Sequence, residues 1–286
     1  MRSSRLLVAL FGLAFAVAAM GAGCDDGTTI AAPEDLAPPL GLTSVTGDGA
    51  VTLQWQASNY DEDRQAFDVY QANGTQSATP GETIPAAFGT TAVATLTNSQ
   101  EAGSFSTTVT GLTNGTTYSF LVVASKDDGD KISRPSNVVT DTPRRESGTL
   151  ILTNGAGNIR FVNVDANPAA ASTSSTGADI LCESFDASAG ERRGMVGQNG
   201  ARVQDLGFVS NWDEIDQAPA GAGSYPIASH SVEVLEGHVY AVFTGDNHYA
   251  KVWVTALNSG DFGYSCRVAY QPQSGNNELK PGHPGR

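Results

Sequence analysis

The sequence is poor in basic residues, in cysteine and in long apolar runs, and each shortage argues against a class of protein. Lys and Arg number 16 against 30 Asp and Glu, which gives a formal net charge of −14. Such a chain is poorly suited to a phosphate backbone, so we expect no nucleic-acid partner. The 3 cysteines include no CxxC pair, which argues against a reactive thiolate site. After the first residues, no apolar run is long enough to cross a bilayer as a helix.

Motifs for familiar enzyme chemistry are also missing. The sequence has no GxSxG or SxxK for nucleophilic hydrolysis, no HExxH for zinc, and no glycine-rich nucleotide loop between a strand and a helix. We therefore expect no enzyme. An unrecognised hydrolase stays as a third hypothesis, because paired carboxylates can meet in space without any sequence spacing.

The N-terminus has the parts of an export signal. Arg2 and Arg5 precede an apolar run over 6–20, and small residues lead directly to Cys24. This arrangement resembles the lipobox of bacterial lipoproteins, in which the cysteine is lipidated and the preceding segment is removed. The resemblance implies a signal peptide over 1–23, a lipid anchor that holds the protein to a membrane, and a flexible tether over 24–39. An ordinary secretory signal with an incidental cysteine is the alternative.

The resemblance also implies a location in the bacterial cell envelope. We expect the outer membrane or cell surface rather than the inner membrane. Asp25 leaves this choice open, since an Asp after the lipidated cysteine can act as an inner-membrane retention signal in enteric bacteria.

Residues 40–143 alternate between apolar and polar positions, with turn residues between the runs. This pattern predicts short strands at 50–55, 67–70, 105–109, 118–124 and 137–140, and hence a β-sandwich. The segments PPLGLTSVTGDGAVTLQW, TTVTGLTNGTTYSFLVVAS and RPSNVVTDTP together resemble a fibronectin type III domain. The resemblance implies that Trp55 is the core tryptophan, and that Leu112 and Tyr118 form the corner where the phenol bonds to backbone. The stretch 71–104 is longer than usual and predicts an added hairpin or loop, and the domain is expected to act as a spacer.

A polar hinge is predicted at 144–148 (RRESG), followed by a second β domain over 149–270 and a disordered tail over 271–286. The expected fold class is therefore all-β: a fibronectin-like sandwich followed by a second antiparallel sandwich. Strands in the second domain are predicted at 149–152, 159–164, 179–185, 203–209, 225–227, 231–235, 238–243, 250–257 and 263–270, with a loop over 167–177.

Within this domain, GHVYAVFTGDNHYAKVWV is similar to the C-terminal hairpin of the haem-binding lipoprotein family called HmuY. Haem is therefore a possible cofactor, and His238 and His248 lie on opposite arms of the predicted hairpin, where they could approach each other. The alternative is that both histidines are solvated, His238 at a strand start and His248 in the turn. Apart from haem, we expect no cofactor and no metal.

Cys182 and Cys266 remain after Cys24 is assigned to lipid. In an oxidising compartment a pair in this context favours a disulfide. A metal pair or two buried free thiols is the alternative. Acidic clusters at 61–63, 127–130 and 213–216 could offer oxygen ligands to calcium, but none has EF-hand spacing, and solvated loop charges are the simpler interpretation.

Trp212 and Tyr225 are predicted to lie in or near a long loop, where exposed aromatic side chains often contact sugars or peptides. They form the preferred binding-face hypothesis, with Trp212 closing the end of the sandwich as the alternative. The leading functional hypothesis is a lipid-anchored, non-enzymatic binding or scaffold module, with an envelope protein or polysaccharide as partner. A haem-binding lipoprotein is the runner-up.

Overall fold

A computed structural model describes residues 36–78, 83–97, 101–126, 131–154, 158–187 and 190–279. The export signal, Cys24, most of the tether and the acidic cluster at 127–130 lie outside these ranges. The fold is all-β, as predicted, with antiparallel sheets arranged as two successive sandwiches. Three short 3₁₀ helices are the described helical elements: Ala86–Phe88, Trp212–Glu214 and Ala222–Ser224.

The N-terminal sandwich is built from eight described strands in two sheets. One sheet has the order β1-β2-β5, and the other has the order β4-β3-β6-β7 with β8 also paired to β6. The strands are β1 (Leu40–Thr46), β2 (Ala50–Ala57), β3 (Ala66–Asn73), β4 (Ala94–Thr97), β5 (Gly103–Thr110), β6 (Tyr118–Lys126), β7 (Lys131–Ile132) and β8 (Val139–Asp141).

Alternation along the strands forms the core of this sandwich. Val51, Leu53 and Trp55 point inward from β2, while the residues between them face solvent. Strand β6 is buried on both faces, because residues from the predicted extra stretch, including Phe88, pack on the outer side of its sheet. The extra stretch therefore covers a sheet face that would otherwise be exposed.

The C-terminal sandwich also has two sheets. A six-stranded sheet has the order β10-β19-β18-β17-β15, with β9 also paired to β19, and a five-stranded sheet has the order β12-β11-β13-β14-β16. The strands are β9 (Arg145–Glu146), β10 (Leu150–Leu152), β11 (Phe161–Asn163), β12 (Ala170–Ser172), β13 (Ile180–Ala187), β14 (Gly190–Gly197), β15 (Arg202–Phe208), β16 (Val232–Glu233), β17 (His238–Phe243), β18 (Tyr249–Leu257) and β19 (Tyr264–Gln271).

Three of these strands, β9, β12 and β14, were not expected from the sequence, and one expected strand is absent. Strand β14 falls in a stretch with few apolar residues, and β12 lies inside the predicted 167–177 loop. Residues 225–227, predicted as a strand, are irregular backbone after a 3₁₀ helix. Local pattern failed here because pairing with neighbouring strands, rather than apolar content, stabilises these segments.

The six-stranded sheet is covered on both faces. Its inner face joins the main core, with Val242 and Val252 among its members, whereas its outer face is covered by the loop between β15 and β16 and by the C-terminal segment. Leu279 is fully buried there, and its backbone N–H donates to Asp216 O at 2.7 Å. The prediction of a disordered tail is therefore wrong for 271–279, because this segment holds the covering loop in place; residues 280–286 lie outside the described part.

The predicted hinge at 144–148 is also wrong. Its residues Arg145 and Glu146 form β9, which pairs with Tyr270 and Ala269 of β19, so the linker is an edge strand of the C-terminal sheet. Ser147 continues this pairing, since its N–H donates to Val268 O at 2.8 Å and its hydroxyl accepts from Val268 N at 2.9 Å. A segment with its backbone groups bonded in this way is not a free hinge.

Arg144, just before β9, connects the linker to the N-terminal sandwich. Its side chain is fully buried, its Nη1 donates to Thr46 O at 3.2 Å, and its Nη2 pairs with Glu146 Oε1 at 3.0 Å. Gln271 Nε2 donates to Thr142 O at 3.3 Å, and so links the last strand back to the N-terminal sandwich. We call these contacts the joint. The joint therefore connects the two sandwiches through a buried charge and hydrogen bonds as well as through the chain itself.

Among the described residues, no helix has the length and apolar content needed to cross a membrane.

Candidate functional site

The two aromatic residues predicted to bind ligand are buried. Trp212 is 4% exposed and Tyr225 is 5% exposed, so the hypothesis of an exposed aromatic face at these residues is wrong. Tyr225 packs on Phe243 of β17, with ring centroids 5.9 Å apart. The loop that carries both residues lies on the outer face of the six-stranded sheet and supplies its cover, which the sequence pattern did not indicate.

Trp212 instead supports a neighbouring tryptophan. Its ring is stacked on Trp253 of β18, with centroids 6.4 Å apart. Arg267 Cζ lies 4.2 Å and Lys251 Nζ 4.8 Å from the centroid of the Trp212 ring, a cation–π arrangement. The buried Lys251 also donates to Trp212 O at 2.8 Å. Trp212 is thus a fixed packing residue behind Trp253.

The two hairpin histidines do not come together. His238 begins β17, whereas His248 follows the turn at the other end of that strand, and six extended residues span about 20 Å. Each histidine has its own aspartate: His238 Nδ1 lies 3.0 Å from Asp205 Oδ2, and His248 Nδ1 lies 3.1 Å from Asp246 Oδ1. The pair therefore does not fit bis-histidine ligation of haem. The alternative matches in position, strand start and turn, but the side chains are only 20% and 17% exposed and lie beside aspartates, so they are not simply solvated.

The predicted disulfide is not present: Cys182 and Cys266 are both free thiols, which was the alternative interpretation. Both are fully buried in the core between the two sheets of the C-terminal sandwich. Burial raises the pKa of each thiol to about 12, so neither forms an appreciable thiolate at neutral pH. They act as small apolar core residues.

No group of three or more His, Cys, Asp or Glu side chains with metal-site geometry occurs in the described part of the chain. Acidic residues at 61–63 lie in an exposed turn of the N-terminal sandwich, where Asp61 accepts a hydrogen bond from Asp63 N at 3.1 Å. That contact is a local turn bond and does not position the carboxylates around a shared centre.

A cleft of about 400 Å³ lies at the end of the C-terminal sandwich, where the chain enters β17. We call it the Phe208 cleft; its volume falls in the range of small-molecule sites. Phe208 is 71% exposed, the highest value among the exposed large apolar residues of the described chain. The cleft is lined by Phe208, Val209, Ser210, Glu236, Gly237, Trp253, Val254 and Thr255.

A β-bulge determines where Phe208 points. Asp205 lies opposite Tyr240, but the next pair joins Phe208 to His238, so β15 has one extra residue. Gly207 adopts a φ of +95°, which favours glycine. Because of the extra residue, Phe208 faces the same side as Asp205 and His238 instead of the outer sheet face.

Gly237 allows the Phe208 ring to lie against the backbone. A Cβ at Gly237 would be 2.5 Å from Phe208 Cε2, and the φ of +79° also disfavours a side chain. The ring and the His238 imidazole form a T-shaped pair, with centroids 6.4 Å apart at 74°. The exposed ring therefore packs against the Gly237 backbone and beside His238, and its remaining surface is open to a ligand.

Polar groups flank the ring. Both carboxylate oxygens of Asp205 lie 3.0 Å from His238 Nδ1, and this contact orients the imidazole ring. His238 Nε2 has no hydrogen-bond partner among the described residues. Glu236 is exposed at the mouth of the cleft, and the Trp253 ring forms part of its wall. An aromatic face beside carboxylate and imidazole groups can bind a ligand that has both apolar C–H surface and hydroxyl groups.

The comparisons with known proteins concern the N-terminal sandwich. Residues 33–142 match the fibronectin type III domain. No curated protein matches the chain. The three residues predicted from this resemblance lie where it implies: Trp55 is 1% exposed in the core, and Tyr118 Oη accepts from Thr113 N at 3.1 Å. Leu112 is partly buried and packs against the same core. The fibronectin type III domain suggests a binding or scaffold module.

The C-terminal sandwich has a tyrosine corner of the same kind, in which the phenol bonds to a backbone N–H five residues earlier. Tyr240 Oη accepts from Leu235 N at 2.8 Å and donates to Glu233 O at 2.9 Å. This corner fixes the chain between β16 and β17, directly beside Glu236 and Gly237 of the cleft.

Sequence reasoning missed Phe208, Asp205, Glu236 and Trp253 as candidate site residues. Phe208 was placed inside a strand predicted over 203–209 and was expected to alternate regularly. The available signal was Gly207, because a glycine within a strand pattern often marks a bulge.

Proposed function

We propose that this protein is a lipid-anchored, non-enzymatic binding protein of the bacterial envelope that recognises a neutral polysaccharide at the Phe208 cleft. The single observation that carries the proposal is the 71% exposed Phe208 ring, which packs on Gly237 and lies beside Glu236 and the Asp205–His238 pair. In this proposal the fibronectin type III domain is a rigid support, and the C-terminal sandwich is the recognition unit.

The order of the strands supports this division of roles. Strand β1 begins at Leu40 and reaches the joint at Thr46, so the chain enters the fibronectin type III domain at the end remote from the joint. Strand β17 begins beside the cleft and runs to a turn in which Asn247 O accepts from Gly275 N at 2.8 Å, close to the joint. The cleft therefore lies at the end of the C-terminal sandwich away from the fibronectin type III domain, where an anchored protein would present a binding site.

Lipid anchoring rests on the sequence of the export signal and Cys24. The test is metabolic labelling with an alkyne fatty acid, followed by membrane fractionation. Wild-type protein is expected to carry label and to fractionate with the outer membrane. Cys24→Ser should lose the label, and a labelled Cys24→Ser protein would contradict the assignment.

The ligand class follows from the chemistry of the cleft. The flat apolar face of a pyranose can pack its C–H groups on Phe208, while its hydroxyl groups donate to Glu236 and exchange hydrogen bonds with His238 Nε2. An anionic polymer would meet the Glu236 carboxylate, which lines the cleft, on a chain of net charge −14. A neutral sugar polymer therefore fits better than an acidic one.

Isothermal titration calorimetry on residues 25–286 tests the proposal with two probes, an N-acetylglucosamine hexamer and an oligogalacturonate of similar length. We expect the neutral oligomer to bind and the anionic one not to bind. Phe208→Ala should weaken binding at least about tenfold, which corresponds to about 1.4 kcal/mol. Ile227→Ala is the matched control, because Ile227 is 69% exposed but lies outside the cleft. No binding of the neutral oligomer, or equal binding by Phe208→Ala, would contradict the proposal.

Hemin, titrated separately and followed by visible absorbance, is a third probe, because the C-terminal hairpin resembles that of a haem-binding family. The separation of His238 and His248 argues against paired ligation. We expect no saturable Soret shift; a shift that His238→Ala abolishes would replace the sugar proposal with a haem site of single-histidine type.

A further inference from the structure

Strand β5 is an open edge of the fibronectin type III domain. It pairs with β2 over eight consecutive residues, from Gly103 opposite Ala57 to Thr110 opposite Ala50, without a register shift. In the strand order β1-β2-β5, no strand among the described residues pairs with its other side. One row of backbone N–H and C=O groups is therefore available for pairing with another chain.

Strand β5 lacks the features that usually protect an edge. Its sequence, GSFSTTVT, has no charge, no proline and no bulge. The opposite edge, β1, has a register shift between Leu40 and Thr43 with Gly41 at a φ of +61°. The remaining edge strands are either short or carry charges and a bulge: β4 (four residues), β7, β9 and β16 (two), β8, β10 and β12 (three), and the charged, bulged β15.

The outer face of this sheet is free of charge as well. Ser106 lies in one row with Gln54 and Thr43, and Thr108 lies opposite Thr52, with a hydroxyl contact of 2.9 Å. On the inner face, Phe105 at the edge of the core is only partly buried. Pairing along β5 would cover the rest of that ring and would bring no charged side chains together.

We infer that β5 mediates self-association, by antiparallel pairing with β5 of a second copy about a two-fold axis. The occupant is a second copy because this edge is uncharged on a chain of net charge −14, so two copies can meet here with the least repulsion. A two-fold axis places the same strand on both sides, and the alternating Ser and Thr side chains are self-complementary. The two three-stranded sheets then form one continuous sheet.

Sedimentation velocity on residues 25–286, from about 10 µM to about 1 mM, tests this association, since small interfaces associate weakly. We expect the weight-average sedimentation coefficient to rise toward that of a dimer. Ser106→Lys should weaken association at least about tenfold, because it places like charges across the axis. Thr43→Lys is the matched control, since Thr43 lies in the same row at the protected edge, and it should leave association unchanged.

A cysteine scan keeps the test independent of charge. Cysteine at Ser104, Ser106, Thr108 or Thr110, each exposed on the outer face, is treated with a short bis-maleimide in the wild-type background. Cross-linked dimer should peak at one position, near the axis, and fall on either side. A protein that stays monomeric at every concentration, equal association by Ser106→Lys, or the absence of a cross-linking peak would each overturn the inference.

Discussion

Replacing Arg144 by Met would test the joint most severely, because this substitution keeps most of the side-chain volume and removes the charge. Arg144 is fully buried between the two domains. Its guanidinium donates to Thr46 O, pairs with Glu146 and lies near the buried Asp141 carboxylate. Arg144→Met would leave Thr46 O without this donor and both carboxylates without this counter-charge.

The magnitude follows from these contacts. Breaking a buried ion pair by removing one partner costs about 3–5 kcal/mol. Glu146 is partly exposed, so water can compensate it, and we expect a loss of about 3 kcal/mol in the free energy of unfolding. For a protein of this size, that loss lowers the melting temperature by roughly 6–12 °C.

The pH dependence gives the prediction a second readout. Burial raises the pKa of Asp141, against the lowering effects of hydrogen bonds and of Arg144. Without Arg144 this pKa rises further, so the cost of the ionised carboxylate is largest above the folded pKa and is relieved as the pH falls through it. Arg144→Met should therefore be more destabilising at pH 7 than at pH 5.

Differential scanning calorimetry at pH 7 and pH 5 measures both effects, with Arg134→Met as control because Arg134 is exposed. The control should change the unfolding free energy by less than about 0.5 kcal/mol. If Arg144→Met behaves like the control, or loses the same stability at both pH values, the account of the joint is refuted.

Three further predictions concern the interior of the protein. Burial raises the pKa of Asp179 to about 6, so its ionised form costs stability above that pH and the cost is relieved between about pH 6 and pH 4. Asp179→Asn should therefore raise the unfolding free energy at pH 7 by about 1–3 kcal/mol and flatten its pH profile; a profile as steep as wild type would contradict this assignment. Cys182 and Cys266 should resist iodoacetamide at pH 7.5 in the folded protein and react without reductant in urea, and mass spectrometry showing no reactive thiol in urea would mean a disulfide. Tyr240→Phe should cost more than Tyr118→Phe, about 2–4 against about 1–2 kcal/mol by urea unfolding, because Tyr240 Oη both accepts and donates, and equal losses would argue against the second corner.

Local sequence patterns were sufficient where a residue's partners lie close along the chain or where a family motif includes them. Tyr118 bonds to a backbone group five residues away, and Trp55 lies in a strand with regular alternation. For both residues, pattern and environment agree, so the core of the fibronectin type III domain was predictable.

Prediction failed where the partner of a residue is distant in sequence. In the sequence Arg144 looks like a linker residue, because its hydrogen-bond acceptor, Thr46 O, lies 98 residues earlier. Leu279 looks like part of a disordered tail, because the acceptor of its backbone N–H, Asp216 O, is distant in sequence. Trp212 resembles an exposed loop aromatic because nothing in its neighbourhood indicates Lys251 and Arg267 packed on its ring.

The sequence pattern did not reveal the candidate site for a different reason, namely a one-residue change in the register of β15. The bulge before Phe208 moves this residue to the face that carries His238, and regular alternation would have placed it on the opposite face. Gly207 was visible in the sequence, but a glycine in a strand gives the position of a bulge without the direction in which the next side chain points.

The most direct test of recognition at the Phe208 cleft is a ¹H–¹⁵N and aromatic ¹H–¹³C NMR titration of residues 25–286 with the N-acetylglucosamine hexamer. We predict that the Phe208 ring signals and the amides of Gly237 and Thr255 shift together and saturate, while the Trp55 ring in the fibronectin type III domain does not shift. Saturable shifts confined to another surface, or no shifts at millimolar oligomer, would contradict the central claim.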